Sequence, residues 1–241
     1  MRGLLSVLAL AVVAPLLATP AAAPAVAART GPSYSRTVVL DGVSVRLGPH
    51  TAQVVTVNRT RGHHARVTFW ARHDGRWVER LQADDGRIGY GGLVVGTRRR
   101  QGTGTTPLGT YPLPWAFGTH ARRAGWGLRY REIRRGDFWV QDNASDHYNR
   151  YRAKRQGGFR WWLPPGDPNA SERLTDYGRQ YEYAVVVGFN VGQVRHRGSG
   201  IFLHVNGRGA TAGCVSAPRR FLRALMARLD PQRRPVIAVG R

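Results

Sequence analysis

Gly198-Ser199-Gly200-Ile201-Phe202-Leu203-His204-Val205-Asn206-Gly207-Arg208-Gly209-Ala210-Thr211-Ala212-Gly213-Cys214-Val215-Ser216 is the stretch on which the reading of this chain turns. Residues 201–205 are β-branched, aliphatic and aromatic apart from one imidazole, so they predict a strand with His204 near its end. Gly207 and Gly209 let the chain fold back before Cys214. That return can bring imidazole and thiol together. A thiol is a weak nucleophile until ionised, and a neighbouring imidazole can take its proton. Backbone N–H groups at Gly213 and Cys214 are candidates to hold a developing oxyanion. Ser216 is expected to cap a helix with Pro218 in its first turn, and that helix N-terminus would favour a thiolate. A lone cysteine is also commonly an inert hydrophobe, and a strand-end histidine a satisfied polar residue, so the residues alone leave both readings open.

Outward from this stretch, the chain reads as mostly strand. Val38-Val39-Leu40, residues 52–57, Phe138-Trp139-Val140, residues 183–189 and Val236-Ile237-Ala238-Val239 are short apolar or β-branched runs. Residues 66–71 alternate polar and apolar, and Asp74-Gly75 beyond them signals a hairpin turn. Many short strands separated by turns indicate a sandwich or barrel-like all-β core. One helix stands out. Phe221, Leu222, Leu225, Met226 and Leu229 recur at helical spacing, and Asp230-Pro231 ends the run. Residues 157–176, with Trp161-Trp162, read as a long loop that covers something or lies on the surface.

Composition bounds the function. The 241 residues carry 37 basic against 14 acidic side chains, a formal charge of +23. Lys154 is the single lysine, and the other bases are arginine. This excess implies an anionic partner such as a wall polymer, or simply an arginine-coated surface. Nucleic acid is disfavoured, because no recognition helix, finger or RNA-binding sheet motif accompanies the charge. One cysteine rules out disulfides within the chain and a cysteine-rich zinc site. The adjacent His63-His64 lacks the i, i+4 spacing of a metal pair on a helix, so no metal is expected.

The first 28 residues read as a secretory leader. Met1-Arg2-Gly3 supplies the positive start, residues 4–17 the apolar run, and Ala25-Val26-Ala27 or Ala21-Ala22-Ala23 the small-residue cleavage site. The run before Pro15 is short for a bilayer core about 30 Å thick, and no later segment is apolar for long enough to cross one. The mature chain is therefore expected outside the cytoplasm with no transmembrane span. Residues 29–87 are expected to be the first strands of the same domain that occupies residues 88–241.

Here the sequence resembles a known family. Residues 198–204 followed by Thr211-Ala212-Gly213-Cys214-Val215 are similar to the L,D-transpeptidase catalytic domain, the YkuD type. Gly102-Thr103-Gly104-Thr105-Thr106-Pro107-Leu108-Gly109-Thr110-Tyr111 resembles the family's strand–turn–strand pattern G-x-G-x-T-P-x-G-x-Y/F. Phe138-Trp139-Val140-Gln141-Asp142 and Tyr148-Asn149 match a further stretch, so the likeness spans residues 88–240 in the family's order. It implies a β-sandwich of mixed sheets with a short helix after the nucleophile, and neither metal nor organic cofactor. It also implies Cys214 as nucleophile and His204 as base, acting on peptidoglycan stem peptides. The family cuts at an L-centred carbonyl, releases the terminal D-alanine, holds the peptide as a thioester and passes it to an amine. With water as acceptor, the same chemistry would make an L,D-carboxypeptidase. Asn149 and Tyr148 would line the cleft by this resemblance, while Ser199, Asn206 and Thr211 flank the site by sequence.

Three positions depart from the family pattern. Ala212 stands where many members have a second histidine, Ser216 where Arg or Asn is common, and Val205 where several have Gly. A different class of reading also stands beside the enzyme: a non-catalytic, basic protein that binds cell-wall polymer through its arginines while Cys214 stays silent.

Overall fold

Asp-Gly turns close the first hairpins of the fold. The computed structural model describes residues 36–241, and the leader expected over residues 1–28 lies outside them. Strands β1 (Arg36–Leu40) and β2 (Val43–Leu47) pair antiparallel across Asp41-Gly42. Strands β3 (Gln53–Arg59), β4 (His64–His73) and β5 (Arg76–Arg87) follow as an antiparallel meander. Asp74 and Gly75, between β4 and β5, both have positive φ, 47° and 78°. Such a turn matches the twist of the strands it joins, as the Asp-Gly signal predicts. The sequence reading missed β5 as a strand, since Glu79, Arg80, Asp84 and Asp85 break its apolar alternation and its partner strand rather than its own pattern secures it.

Short strands then follow: β6 (Leu93–Val95), β7 (Thr106–Pro112), β8 (Ala116–Gly118), β9 (Tyr130–Glu132), β10 (Asp137–Trp139), β11 (Tyr151–Ala153) and β12 (Glu172–Arg173). The chain ends with β13 (Ala184–Val186), β14 (Phe202–Val205), β15 (Val215–Ala217), the helix α1 (Arg219–Met226) and β16 (Val236–Gly240). Eleven strands form one mixed sheet in the order β6-β7-β16-β3-β4-β5-β15-β14-β13-β8-β9. Strands β11-β10-β12 make a smaller sheet beside it. The expected mostly-β architecture with mixed sheets and one short helix is what the chain adopts.

The expected helical stripe is observed. Phe221, Leu222, Leu225 and Met226 are buried in one aliphatic core with Leu203, Val205, Val215, Ala217, Val55 and Val57. Each such side chain contributes roughly 1.5–3 kcal/mol on burial. The expected cap is not observed. Ser216 lies within β15, where the parallel ladder pairs it with His204, and its hydroxyl donates to Asn206 Oδ1 at 2.7 Å. Pro218 takes the position before α1 with extended backbone and no side-chain cap. Four residues, 215–218, thus lie between Cys214 and the start of α1, so the thiol is not part of the helix's first turn, where the dipole's effect is concentrated.

Candidate active site

The site stands on two neighbouring parallel strands. Leu203 faces Val215 and His204 faces Ser216 in the ladder of β14 and β15. Side chains alternate across a sheet. Leu203, Val205, Val215 and Ala217 therefore enter the aliphatic core. Phe202 and Cys214 enter a second, aromatic cluster with Phe117, Trp139, Leu174 and Tyr181. His204, two residues beyond Phe202, shares this face, and its ring meets the Tyr181 ring edge-on at 5.4 Å. Cys214, the residue just before β15, and His204 on β14 consequently lie on the same side of the sheet. Both line one cavity of about 890 Å³, and both are buried, at 8% and 6% exposure.

The hydrogen bonds define the resting state. The Cys214 thiol donates to Gly200 O and accepts from the Phe202 N–H, each at 3.3 Å. The imidazole is not among its hydrogen-bond partners. His204 Nδ1 lies 2.8 Å from Val205 O. A carbonyl only accepts, so Nδ1 carries the proton and Nε2 keeps its lone pair. Burial pulls the His204 pKa down to about 4, against the Val205 bond. Burial, followed by the nearby Glu172 carboxylate, pushes the Cys214 thiol up to about 12. The resting pair is thus neutral thiol and neutral imidazole, not the thiolate that the sequence reading expected. The physical reason is the closed, aromatic setting and the intervening strand before α1.

The loop before Cys214 is held from two directions. Tyr90 N–H donates to Thr211 O at 2.9 Å, and Thr211 N–H to Ile88 O at 3.0 Å. Thr106, from the Gly-Thr-Pro motif, accepts from Gly89 N–H at 2.8 Å and donates to Cys214 O at 3.4 Å. That motif buttresses the cysteine from behind.

Several expected site residues take other roles. Gly213 N–H, one of the two expected oxyanion donors, donates to Thr211 Oγ1 at 3.2 Å in the resting site. Thr211 lines the cavity, but its hydroxyl donates to Cys214 O at 2.6 Å. Asn206 does not line the cavity. Its Nδ2 donates to Asp85 O at 2.6 Å, and its Oδ1 accepts from Ser216. Tyr148 and Asn149 are buried behind the wall rather than facing the cleft. Tyr148 accepts from Gly198 N–H at 2.9 Å, and Asn149 Oδ1 accepts from Gly200 N–H at 3.0 Å. They fix the segment that supplies the thiol's acceptor. Ser199 does line the cavity, and its buried Oγ has no hydrogen-bond partner.

Three lining residues escaped the sequence reading. Glu172, on β12 inside the supposed long loop, accepts hydrogen bonds from Tyr181 Oη and from Gln141 Nε2, the latter at 3.2 Å. Burial raises its carboxyl to about 7 against those bonds. Tyr181 links this carboxyl to the His204 ring. Arg99, 5% exposed, lies between two exposed arginines of the Arg98-Arg99-Arg100 run. A charge run conveys no burial, so composition gave no signal there. Glu172 and Tyr181 likewise sit outside any motif.

Among the described residues, no helix is long and apolar enough to cross a membrane. Compared with models of protein families, residues 53–237 match the L,D-transpeptidase catalytic domain, YkuD. Searches of the curated proteins and of the solved structures each returned no match. The family match begins at β3, well before the likeness seen in the sequence, and so takes in the meander at the centre of the large sheet. With a match over more than half of its length, this chain belongs to the L,D-transpeptidase catalytic domain family, enzymes that act on peptidoglycan stem peptides.

Proposed function

We propose that this chain is an exported cysteine acyltransferase, an L,D-transpeptidase in which Cys214 is the nucleophile and His204 its base. The observation that carries the reading is the placement of thiol and imidazole on one face of adjacent strands, along one cavity. Because the resting thiol is protonated, deprotonation accompanies attack instead of preceding it. Sγ attacks the L-centred carbonyl of the stem while its proton passes to His204 Nε2. The Cys214 backbone N–H is the donor closest in sequence to the oxyanion that forms. The intermediate collapses, the C–N bond breaks, and the amine of D-alanine leaves with the proton from the imidazolium. The thioester is then attacked by an amine of a second stem or of a protein, and the thiol is restored. The Val205 carbonyl holds the imidazole in the tautomer this requires, and the Tyr181 ring packs edge-on against it.

The leader over residues 1–28 would deliver the enzyme to the wall. Its excess of arginine would then hold it near anionic wall polymer, an attraction that weakens as salt rises. The test is product analysis with a stem tetrapeptide. Wild type releases D-alanine and forms a cross-linked product when an amine acceptor is added, and Cys214→Ala does neither. D-alanine release with no amide product under any amine would assign water as the acceptor. No release by wild type, with salt-sensitive polymer binding unchanged in Cys214→Ala, would make the chain a wall-binding protein.

A further inference from the structure

Arg99 is a buried cation without an anion. Its Nε donates to Thr105 O at 2.7 Å and its Nη1 to Arg197 O at 3.3 Å, while Nη2 makes no hydrogen bond. Among the described residues no ion pair includes it. The groups that face it electrostatically are Cys214, Tyr148, Tyr111 and Tyr90, and the Phe189 ring lies 5.6 Å from its guanidinium carbon. A buried charge is costly unless something compensates it. The thiol does not, since it bonds Gly200 and Phe202 and stays protonated.

The guanidinium is placed with care. A Cβ at Gly198 would overlap Nη1, and one at Gly213 would fall 2.7 Å from Nη2. Both glycines have positive φ, 100° and 128°. Arg99 therefore lies between the residue before Ser199 and the residue before Cys214. Ser199 is 6% exposed, and its Oγ is a donor left unpartnered on the cavity wall. Arg99 and Ser199 both line the cavity, and an Arg N–H together with a hydroxyl is a donor set suited to a carboxylate. The chemistry proposed above brings one such group to this spot: the free carboxylate of the residue that leaves.

Resting on that reading of the site, we propose that Arg99 Nη2 and Ser199 Oγ form a carboxylate subsite that seats the C-terminal carboxylate of the donor peptide. It selects stems that end in a free acid and aligns the bond to be cut over Cys214.

The experiment measures equilibrium binding to Cys214→Ala protein, which cannot turn over. The probes are a stem tetrapeptide ending in D-alanine as the free acid and the same peptide as its C-terminal amide. Charge-assisted hydrogen bonds predict a preference for the acid of about 10-fold or more. Arg99→Gln is expected to reduce that preference to below about 3-fold, Arg99→Lys to retain part of it, and Ser199→Ala to weaken it several-fold. Ser199→Ala guards against misfolding, because its Oγ has no partner to lose and its Tm should be unchanged. Equal binding of acid and amide, including failure of both to bind, overturns the subsite. So does a preference that survives both Arg99→Gln and Ser199→Ala. Acyl transfer itself is judged separately, by adduct formation on intact Cys214. A preference without an adduct would keep the subsite and remove the transferase reading.

Discussion

The two faces of β14 and β15 differ more than any two elements of the molecule. On one, Leu203, Val205, Val215 and Ala217 meet α1 in an aliphatic core. On the other, Phe202, His204 and Cys214 meet tyrosine, tryptophan and a carboxyl around a cavity. The same few residues supply stability in one direction and chemistry in the other. Alternation with a period of two keeps these tasks apart, so each face can be perturbed with limited effect on the other.

The largest effects fall on the cavity face. Cys214→Ala should lower D-alanine release to background, a loss of at least about 10³-fold, with Tm nearly unchanged. His204→Gln should lower it by about 10²–10⁴-fold, since it removes the base and leaves the nucleophile. On the opposite face, Leu203→Ala should cost about 2–5 kcal/mol in urea unfolding while activity per folded molecule stays near wild type. A stability loss in Cys214→Ala as large as that of Leu203→Ala would break the division between the faces.

A subtler expectation concerns pH. Unfolded His204 binds a proton below about 6.5, whereas the folded imidazole does so only near 4. That group makes the fold less stable as pH falls through this window. Glu172 acts oppositely. Its folded carboxyl keeps a proton up to about 7, whereas the unfolded one releases it above about 4.5. That group makes the fold less stable as pH rises. Each carries up to ~3 kcal/mol, so these two contributions should largely offset each other between pH 4.5 and 7 in the wild type. Glu172→Gln should uncover acid sensitivity, and His204→Gln the reverse slope. Urea unfolding at several pH values checks both, and parallel profiles in the two variants would contradict the assigned burial. The smallest effect is expected from Ala212→His, which restores a side chain common in the family. Ala212 is exposed at the cavity, so its stability change should stay within about 0.5 kcal/mol.

The aliphatic face was the more legible one. Its strands read from apolar runs, and α1 read from the spacing of Phe221, Leu222, Leu225 and Met226. The cavity face was legible at Cys214 and His204, where rare residue types lie close along the chain, and at Ser199 and Thr211, which flank them. Arg99 looked like one base among many, and Glu172 like part of a polar loop, because their burial is imposed by segments distant in sequence. Ser216 has the composition of a cap, yet pairing with β14 claims it for a strand. Gly213 offered an amide for an oxyanion, and Thr211, two residues back, already holds it.

Intact-mass spectrometry shows whether the Cys214 sulfur receives the acyl group. Wild-type protein and Cys214→Ala are each incubated with a stem tetrapeptide or with a carbapenem, a reagent that acylates such thiols. One acyl adduct is expected on wild type, mapped to the peptide containing residue 214, and none on the variant. An unmodified wild type under both reagents, or an equal adduct on Cys214→Ala, would contradict this.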